Sequence, residues 1–200
     1  IGAGVVGSAL ADELTALGYT EVTVLDRGPL APGRTPMTGG SSSHAPGLVF
    51  QTNPSRTMAQ FAQYTATKLG SLNTANSLCF NAVGGLEIAT TPERLADLHR
   101  KAGWARVSGI EAAVVDVDEC LRLHPLLDRE IVLGGLHTPT DGLAGAPAAI
   151  GMQMQRAIDR GAQFFGGQQV IEVNQRGGVV TGVRTTERTF DADVVVSCAG

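Results

Sequence analysis

The sequence has few cysteines, few aromatic residues and a modest share of charged residues. Its three cysteines, Cys79, Cys120 and Cys198, are far apart and form no CxxC pair. This spacing argues against a disulfide framework and against a cysteine metal site. It favours a reducing compartment, so we expect a cytoplasmic protein, or a mitochondrial matrix protein if the source is eukaryotic.

Charge and hydropathy exclude two further classes of protein. Charged residues make up 17% of the 200 residues, and the formal net charge is −4. The sequence has no basic cluster of the kind that binds nucleic acid, and no apolar run approaches the roughly 18 residues of a membrane span. We therefore expect neither a nucleic-acid partner nor a membrane partner, while the oligomeric state stays open.

Two common kinds of catalytic site are also missing. No serine lies in a GxSxG elbow, which argues against an α/β-hydrolase. His99, His124 and His137 show no close metal-ligand spacing, so we expect no metal site. We expect a solvated helix face for His99, a capping or packing role for His124 and a structural role for His137.

Glycine, in contrast, is abundant at 26 residues, and the first three glycines have a distinctive spacing. Gly2, Gly4 and Gly7 form the GxGxxG pattern of a dinucleotide-binding turn. The first glycine permits the tight turn, the second lets a pyrophosphate approach the backbone, and the third lets the helix pack closely on its strand. The positive end of the following helix then faces the phosphate charge.

The elements that follow the turn strengthen this interpretation. Residues 5–17 have helical character, Gly18 suits the position that ends a helix, and residues 21–26 alternate like a strand. Asp26 ends that strand 19 residues after Gly7, close to the roughly 20 expected for an acid that binds a ribose. The motif by itself fits either NAD or FAD. A second loop rich in glycine and serine, residues 39–48, could present amides and hydroxyls to a pyrophosphate and a flavin ring.

Later segments predict an α/β fold interrupted by a mixed region. Helices are expected over 58–72, from Thr91 to about 103, after Asp116 and over 146–161. Strands are expected over 86–89, 131–137, 163–165, 169–173, 179–184 and 194–197, with a hairpin turn at 174–178. The predicted domains are a Rossmann-like dinucleotide-binding part, residues 1–50 and about 145–200, and an inserted α+β part, residues about 51–144. Because Ile1 alone precedes the turn where a buried strand is needed, we expect a fragment of a longer protein.

Several segments resemble one family of flavoenzymes. They include IGAGVVGSALADEL, VLDRGPL, GGSSSHAPGLVFQTNPSRTMAQFAQYT, GGLEIATTPERLADL, LHPLLD, GGLHTPTDGLA and VVVSCAG. The chain is similar over its whole length to the N-terminal flavin domain of the dimethylglycine oxidases. More widely, it resembles the dimethylglycine and sarcosine dehydrogenases among the D-amino-acid-oxidase-like amine oxidoreductases. The resemblance implies a FAD-binding fold of the glutathione-reductase and D-amino-acid-oxidase type, with part of an inserted substrate domain.

The resemblance also implies which residues bind FAD. In this family the histidine of SSSHAPGL is bonded through its ring to the 8α-methyl carbon of FAD, which assigns the covalent link to His44. The other implied FAD-binding residues are Gly2, Gly4, Val5, Val6 and Gly7 in the phosphate turn, Asp26 and Arg27 at the ribose, and Ser41, Ser42, Ser43, Leu48 and Val170 elsewhere. The loop through residues 31–36 looks longer than is usual in the family, which puts its path in doubt.

The implied reaction is FAD-dependent oxidation of a small N-methyl amine, with dimethylglycine demethylated to sarcosine. One alternative is a sarcosine or dimethylglycine dehydrogenase that passes electrons to a protein carrier. Another, from a different class, is a non-catalytic regulatory subunit that keeps the fold. The family's substrate-facing residues and its tetrahydrofolate-binding region correspond to sequence after Gly200, so the catalytic residues are not predicted.

Overall fold

The computed structural model describes residues 1–30 and 39–200, and the long loop expected over residues 31–36 lies outside them. The chain forms two compact units. The first unit contains residues 1–45, 76–78 and 145–200, and the second contains residues 46–75 and 79–144. Which of the predicted domains binds the cofactor and which is the insertion stays a prediction.

The described residues form five α-helices and eleven β-strands. The helices are α1 Val5–Ala16, α2 Arg56–Ser71, α3 Pro92–Val107, α4 Val117–Leu123 and α5 Ala146–Asp159. The strands are β1 Thr23–Leu25, β2 Leu48–Val49, β3 Phe80–Asn81, β4 Gly85–Ala89, β5 Ala113–Val115, β6 Gly134–Thr138, β7 Gly142–Ala144, β8 Gln163–Phe165, β9 Val170–Arg176, β10 Val179–Thr185 and β11 Thr189–Asp191.

The first unit is built on parallel strands with two helices packed side by side. β1 pairs with β8 in parallel, with Val24 opposite Phe164. Helices α1 and α5 contact each other extensively. Their interface includes Ala11 and Ala157, which are buried with Val24 in one apolar cluster. Small side chains let the two helices approach closely, so the glycine turn before α1 is joined to a well-packed helix pair.

A three-stranded antiparallel sheet, in the order β11, β10, β9, completes the first unit. The β9–β10 turn uses Gly177 and Gly178, whose φ angles are +60° and +83°. Two successive positive φ angles match the right-handed twist of a hairpin and favour glycine at both positions. The hairpin predicted over residues 174–178 therefore has its two-residue turn at these glycines.

The second unit contains two antiparallel sheets, ordered β2-β7-β3 and β4-β6-β5. The central strand β6 is largely buried, and Leu136 is packed with Ala89 and Leu98 in an apolar cluster. Helix α3 contributes Leu98 and also carries Trp104, the one tryptophan of the sequence.

Capping side chains explain where the helices of the second unit begin. Thr91 accepts a hydrogen bond from the Arg94 amide at 3.2 Å and precedes Pro92 at the start of α3. Asp116 caps α4 in the same way. Ser55 caps α2, so this helix begins at Arg56, two residues earlier than its apolar pattern predicts.

The expected strand over 131–137 is shifted toward its carboxyl end. The amides of Ile131 and Val132 donate to Asp128 O, which forms a turn. Strand β6 starts only at Gly134, whose φ of +149° permits the change of direction.

The expected strand over 194–197 is wrong for the described residues. The Ile1 nitrogen donates to Val196 O at 2.8 Å, and the Cys198 amide donates to Ile1 O at 2.7 Å. Two bonds to a single residue do not form a strand ladder. Separately, none of the helices in the described part of the chain is long and apolar enough to cross a membrane.

Candidate functional site

The glycine turn lies between the end of β1 and the start of α1. The Gly2 amide donates to Leu25 O at 2.8 Å, and Gly2 has a φ of +97°. A Cβ atom on Gly7 would lie 1.8 Å from Gly2 O, far inside any allowed contact. Gly2 therefore provides the backbone turn and Gly7 the close helix packing that the sequence pattern predicts.

The amino end of α1 presents backbone amides that lack intrahelical partners. Its N-cap, Gly4, has no side chain to accept a hydrogen bond. Within residues 1–30 and 39–200, the amides of Gly4, Val6 and Gly7 have no hydrogen-bond acceptor. Among the described residues, a Cβ atom added to Gly4 would meet only the Ser42 hydroxyl within 4 Å, at 3.2 Å. Open amides at a helix amino end favour an anion such as a pyrophosphate.

Asp26 links the end of β1 to the glycine turn. Its two carboxylate oxygens accept from the Ala3 amide and the Gly28 amide, both at 2.7 Å. Its own amide donates to Phe165 O, and its carbonyl oxygen accepts from the Gln168 amide. Each carboxylate oxygen has a second lone pair, so the half-buried group can still accept from the hydroxyls of a ribose.

His44 follows a short 3-10 turn that contains Ser41, Ser42 and Ser43. The Ser42 hydroxyl accepts from the Val5 amide at 3.1 Å, so this turn contacts the amino end of α1. His44 lies two residues later, and its side chain is exposed. His44, which the resemblance assigns to the covalent link, therefore follows a turn that is hydrogen-bonded directly to the amino end of α1.

The remaining predicted cofactor residues are more dispersed. Val6 is 64% exposed, and Arg27 and Ser41 are exposed as well. Leu48 belongs to the second unit, where it pairs with Leu143, and it is 58% exposed. Val170 begins β9 and pairs with Thr185. Whether any of these residues contacts FAD stays a prediction.

The three other histidines lie outside this cluster. His99 is exposed on α3, and His124 is the C-cap of α4. His137 is half-buried on β6, opposite Leu86. In the described parts of the chain, no group of three or more His, Cys, Asp or Glu side chains is arranged to hold a metal ion.

Sequence reasoning missed an aromatic cluster at the end of β8. The Arg188 guanidinium lies 4.7 Å from the ring centre of Phe165 and 4.5 Å from that of Phe190. The two rings are 5.4 Å apart. These cation–π and ring contacts stabilise the chain around Phe165, three residues before Gln168. The Gln168 amide donates to the Asp26 carbonyl. No local pattern signals it, because the three residues come from separate strands and a turn.

A second missed feature is a buried carboxylate in the second unit. Asp141 is 3% exposed, and its Oδ1 accepts from the Gln51 amide at 3.0 Å and from Gln51 Nε2 at 3.2 Å. Burial raises the pKa of the Asp141 carboxyl, although the bonds from Gln51 act in the opposite direction. Gln51 lies two residues after the end of β2 and Asp141 directly precedes β7, so this pair holds the two strands side by side.

Within the first unit, the residues around the glycine turn fit a dinucleotide. Open helix amides suit a pyrophosphate, and a fixed carboxylate at the carboxyl end of β1 suits a ribose. Because Gly4 has no side chain, a phosphate can approach the backbone at this position. Gly2, Gly4, Val5, Gly7, Asp26 and Ser42 are the predicted residues that the structure brings together.

Comparison with known proteins agrees with this chemistry. The model of the FAD dependent oxidoreductase family matches residues 1–200. The mitochondrial pyruvate dehydrogenase phosphatase regulatory subunit of Mus musculus is 27% identical over 203 residues, and the mitochondrial sarcosine dehydrogenase of Mus musculus is 28% identical over 208. Both alignments cover 100% of this chain and 22% of the relative, so the chain spans about a fifth of the length of these proteins.

Among solved structures, L-proline dehydrogenase from P. horikoshii superposes with a TM-score of 0.89 at 21% identity. The superposition covers 99% of this chain and 51% of that chain. This likeness shows the fold, and the α/β class expected from the sequence is confirmed. Because the family model matches the sequence from end to end, the chain belongs to the FAD-dependent oxidoreductase family.

Proposed function

We propose that the protein oxidises a small N-methyl amino acid with FAD as the hydride acceptor, and that dimethylglycine is converted to sarcosine. The observation that carries the proposal is the joint placement of the open α1 amides, Asp26 and the His44 turn in one unit. Family membership supports FAD as the dinucleotide. The similarity to a sarcosine dehydrogenase supports an N-methylated amino acid as the substrate.

Bound FAD would supply the two-electron oxidant that accepts a hydride from the N-methyl carbon. The amine lone pair would form the C=N bond of an iminium, and addition of water to the iminium carbon would release formaldehyde and leave sarcosine. The chain's own residues hold the cofactor. The amides of Gly4, Val6 and Gly7 would bind the pyrophosphate, and the Asp26 carboxylate would accept from the ribose. Because Asp26 is already bonded to the Ala3 and Gly28 amides, it is oriented before the cofactor arrives.

We further propose that His44 holds the flavin covalently. In this link a ring nitrogen of His44 would be bonded to the flavin 8α carbon, in place of one 8α C–H bond and the ring N–H bond. Forming the link would release two hydrogens and two electrons to the flavin, and dioxygen would take them up as hydrogen peroxide.

The first experiment is anaerobic mixing of the purified flavoprotein with dimethylglycine and with sarcosine. Loss of the flavin absorbance near 450 nm is expected with dimethylglycine. If neither amine bleaches the flavin, amine oxidation is wrong. Admission of air separates the enzyme alternatives, since an oxidase forms hydrogen peroxide at the rate of turnover. A dehydrogenase instead needs an added electron carrier.

The covalent link has its own test. A denaturing gel of the wild-type protein is expected to show a fluorescent flavin band that disappears in His44→Ala. His99→Ala, which removes an exposed histidine from α3, should keep the band. A wild-type protein that contains FAD but gives no fluorescent band would disprove attachment.

A second candidate function is a non-catalytic regulatory subunit, and the match to a phosphatase regulatory subunit is the observation that favours it. A protein of this kind would keep the α1 amides and Asp26 and bind FAD without turnover. The anaerobic experiment distinguishes the two functions. Stoichiometric FAD that no N-methyl amine reduces would favour the regulatory subunit.

A further inference from the structure

The amino end of α1 is capped by a residue that is distant in the sequence. Gly4 occupies the N-cap position and has no side chain. The hydroxyl of Ser42, 37 residues later, instead accepts from the Val5 amide at 3.1 Å. A neutral hydrogen bond of this kind satisfies one of the orphan amides that every helix leaves at its amino end.

Ser42 belongs to a turn that is also closed by backbone hydrogen bonds. The bonds run from the Ser43 amide to Gly40 O at 3.2 Å, from the His44 amide to Ser41 O at 3.0 Å and from the Ala45 amide to Ser41 O at 2.9 Å. The hydrogen bond through Ser42 therefore ties this turn, and with it the backbone of His44, to the amino end of α1.

We propose that Ser42 is a positioning residue that sets the register between the pyrophosphate-binding helix and His44. The inference rests on the proposed FAD function and deepens it. The same helix end that holds the phosphates through its open amides also holds, through Val5, the turn that carries the covalent attachment point. Loss of the Ser42 hydroxyl leaves the open amides in place and removes the hydrogen bond that ties the His44 turn to α1, while the contacts of the turn with α5 remain.

The geometry restricts what can occupy position 42. The Ser42 oxygen lies 3.2 Å from where a Cβ on Gly4 would be, so the hydroxyl is in close contact with the backbone of the glycine turn. Threonine keeps a hydroxyl on the same carbon and can accept from the Val5 amide. Alanine keeps the Cβ and lacks the acceptor. Ser42→Thr and Ser42→Ala therefore separate the hydrogen bond from the space that the side chain fills.

The experiment uses the full chain purified without added flavin and then incubated with FAD. Two quantities are followed, the total FAD bound and the fraction that remains attached after acid denaturation. Ser42→Ala is expected to slow attachment about fivefold, the order expected for loss of one neutral hydrogen bond, with a smaller change in FAD affinity. Ser42→Thr should restore the wild-type rate. Ser71→Ala removes a serine hydroxyl that bonds to Lys68 O in the second unit, and it should change neither quantity.

Hydrogen exchange of the FAD-free protein gives a second measurement. Ser42→Ala should speed exchange in the segments 3–8 and 40–45 together, because the contact ties them to each other. Attachment as fast in Ser42→Ala as in wild type overturns the inference, and so does a variant that loses attachment only in proportion to total FAD. Wild-type protein that binds FAD without attaching it also overturns the inference. Wild-type protein that binds no FAD instead disproves the proposed function, and exchange still tests the Ser42–Val5 contact.

Discussion

The Asp26 carboxylate lies 2.7 Å from the Ala3 amide, so the acid at the end of β1 is hydrogen-bonded to the middle of the glycine turn. Its second oxygen accepts from the Gly28 amide at the same distance. The residue assigned to the ribose therefore also orders the turn assigned to the phosphates. One substitution should weaken both parts of the cofactor site.

Asp26→Ala removes both acceptor oxygens, and we expect FAD affinity to fall by about tenfold or more, since hydrogen bonds to charged groups contribute about 1.5–3 kcal/mol each. Asp26→Asn keeps one acceptor and should give an intermediate affinity. Titration of flavin-free protein with FAD, followed by fluorescence quenching, measures the effect. Asp193→Ala removes an exposed carboxylate from the same unit and serves as the control. Equal affinities for wild type and Asp26→Ala would contradict the assignment.

Gly7→Ala places a Cβ 1.8 Å from Gly2 O, and neither backbone segment can move without opening the turn. We expect the free energy of unfolding to fall by about 3 kcal/mol, with loss of FAD binding. Gly103→Ala is the matched control on α3, where a Cβ would meet no described atom within 4 Å. That substitution should raise stability by about 0.5–1 kcal/mol, because alanine favours a helix interior. Urea denaturation compares the two, and equal effects would show that the turn at Gly7 is more open than described.

The buried Asp12 of α1 accepts from Arg160 at 2.7 Å, with the Arg156 Nε at 3.5 Å. Arg160→Met should lower the free energy of unfolding by about 1–3 kcal/mol, since it leaves a buried carboxylate with a weaker partner. Arg129→Met breaks an exposed ion pair with Asp118 and should cost about 0.5 kcal/mol or less. Chemical denaturation measures both variants. If Arg160→Met lowers the free energy of unfolding no more than Arg129→Met does, the ion pair between Arg160 and Asp12 does not stabilise the protein.

Asp141 gives a prediction about pH. Because burial raises its pKa in the folded state, the folded protein binds this proton more tightly than the unfolded chain does. Its contribution to stability is full below the unfolded value of about 3.9 and is lost as pH rises through the raised pKa. Asp141→Asn keeps an acceptor for Gln51 and carries no charge, so its stability relative to wild type should increase with pH.

Urea denaturation of wild type and Asp141→Asn between pH 4 and 8 checks this expectation. Asp128→Asn is the control, because Asp128 also accepts from a backbone amide, that of Glu130 at 2.9 Å, but is exposed. Its difference from wild type should vary much less with pH. A constant difference for Asp141→Asn across this range would show that burial of the carboxylate does not control its ionisation.

Local signals in the sequence predicted much of the fold. Thr91 and Asp116 are good helix caps, and the glycine turn followed by a helix and an acid-ended strand predicted the arrangement around α1 and β1. Five short strands, β2, β3, β5, β7 and β11, escaped prediction because their pairing depends on partners elsewhere in the chain. The start of β6 was misplaced because the amides of Ile131 and Val132, in an apolar run that resembles a strand, donate to Asp128 O in a turn instead.

The candidate site could be predicted only as a set of residues. The sequence named Ser42 and Asp26 but could not show that they contact Val5 and Ala3, because those contacts join residues 37 and 23 positions apart. The pairing of Asp141 with Gln51, 90 positions away, had no local signal at all. Hydrogen bonds between distant residues depend on how the elements pack, and composition and spacing do not encode that packing directly.

Trp104 provides an optical reporter for the second unit alone. Because it is the one tryptophan and lies on α3, its emission follows unfolding of the second unit. A flavin held at the glycine turn reports on the first unit through its own absorbance and fluorescence. The two chromophores can be read in the same cuvette, so a single denaturation series can show whether the units unfold in one step or in two. Arg160→Met, which lies in the first unit, should then shift the flavin transition first, and Asp141→Asn the tryptophan transition.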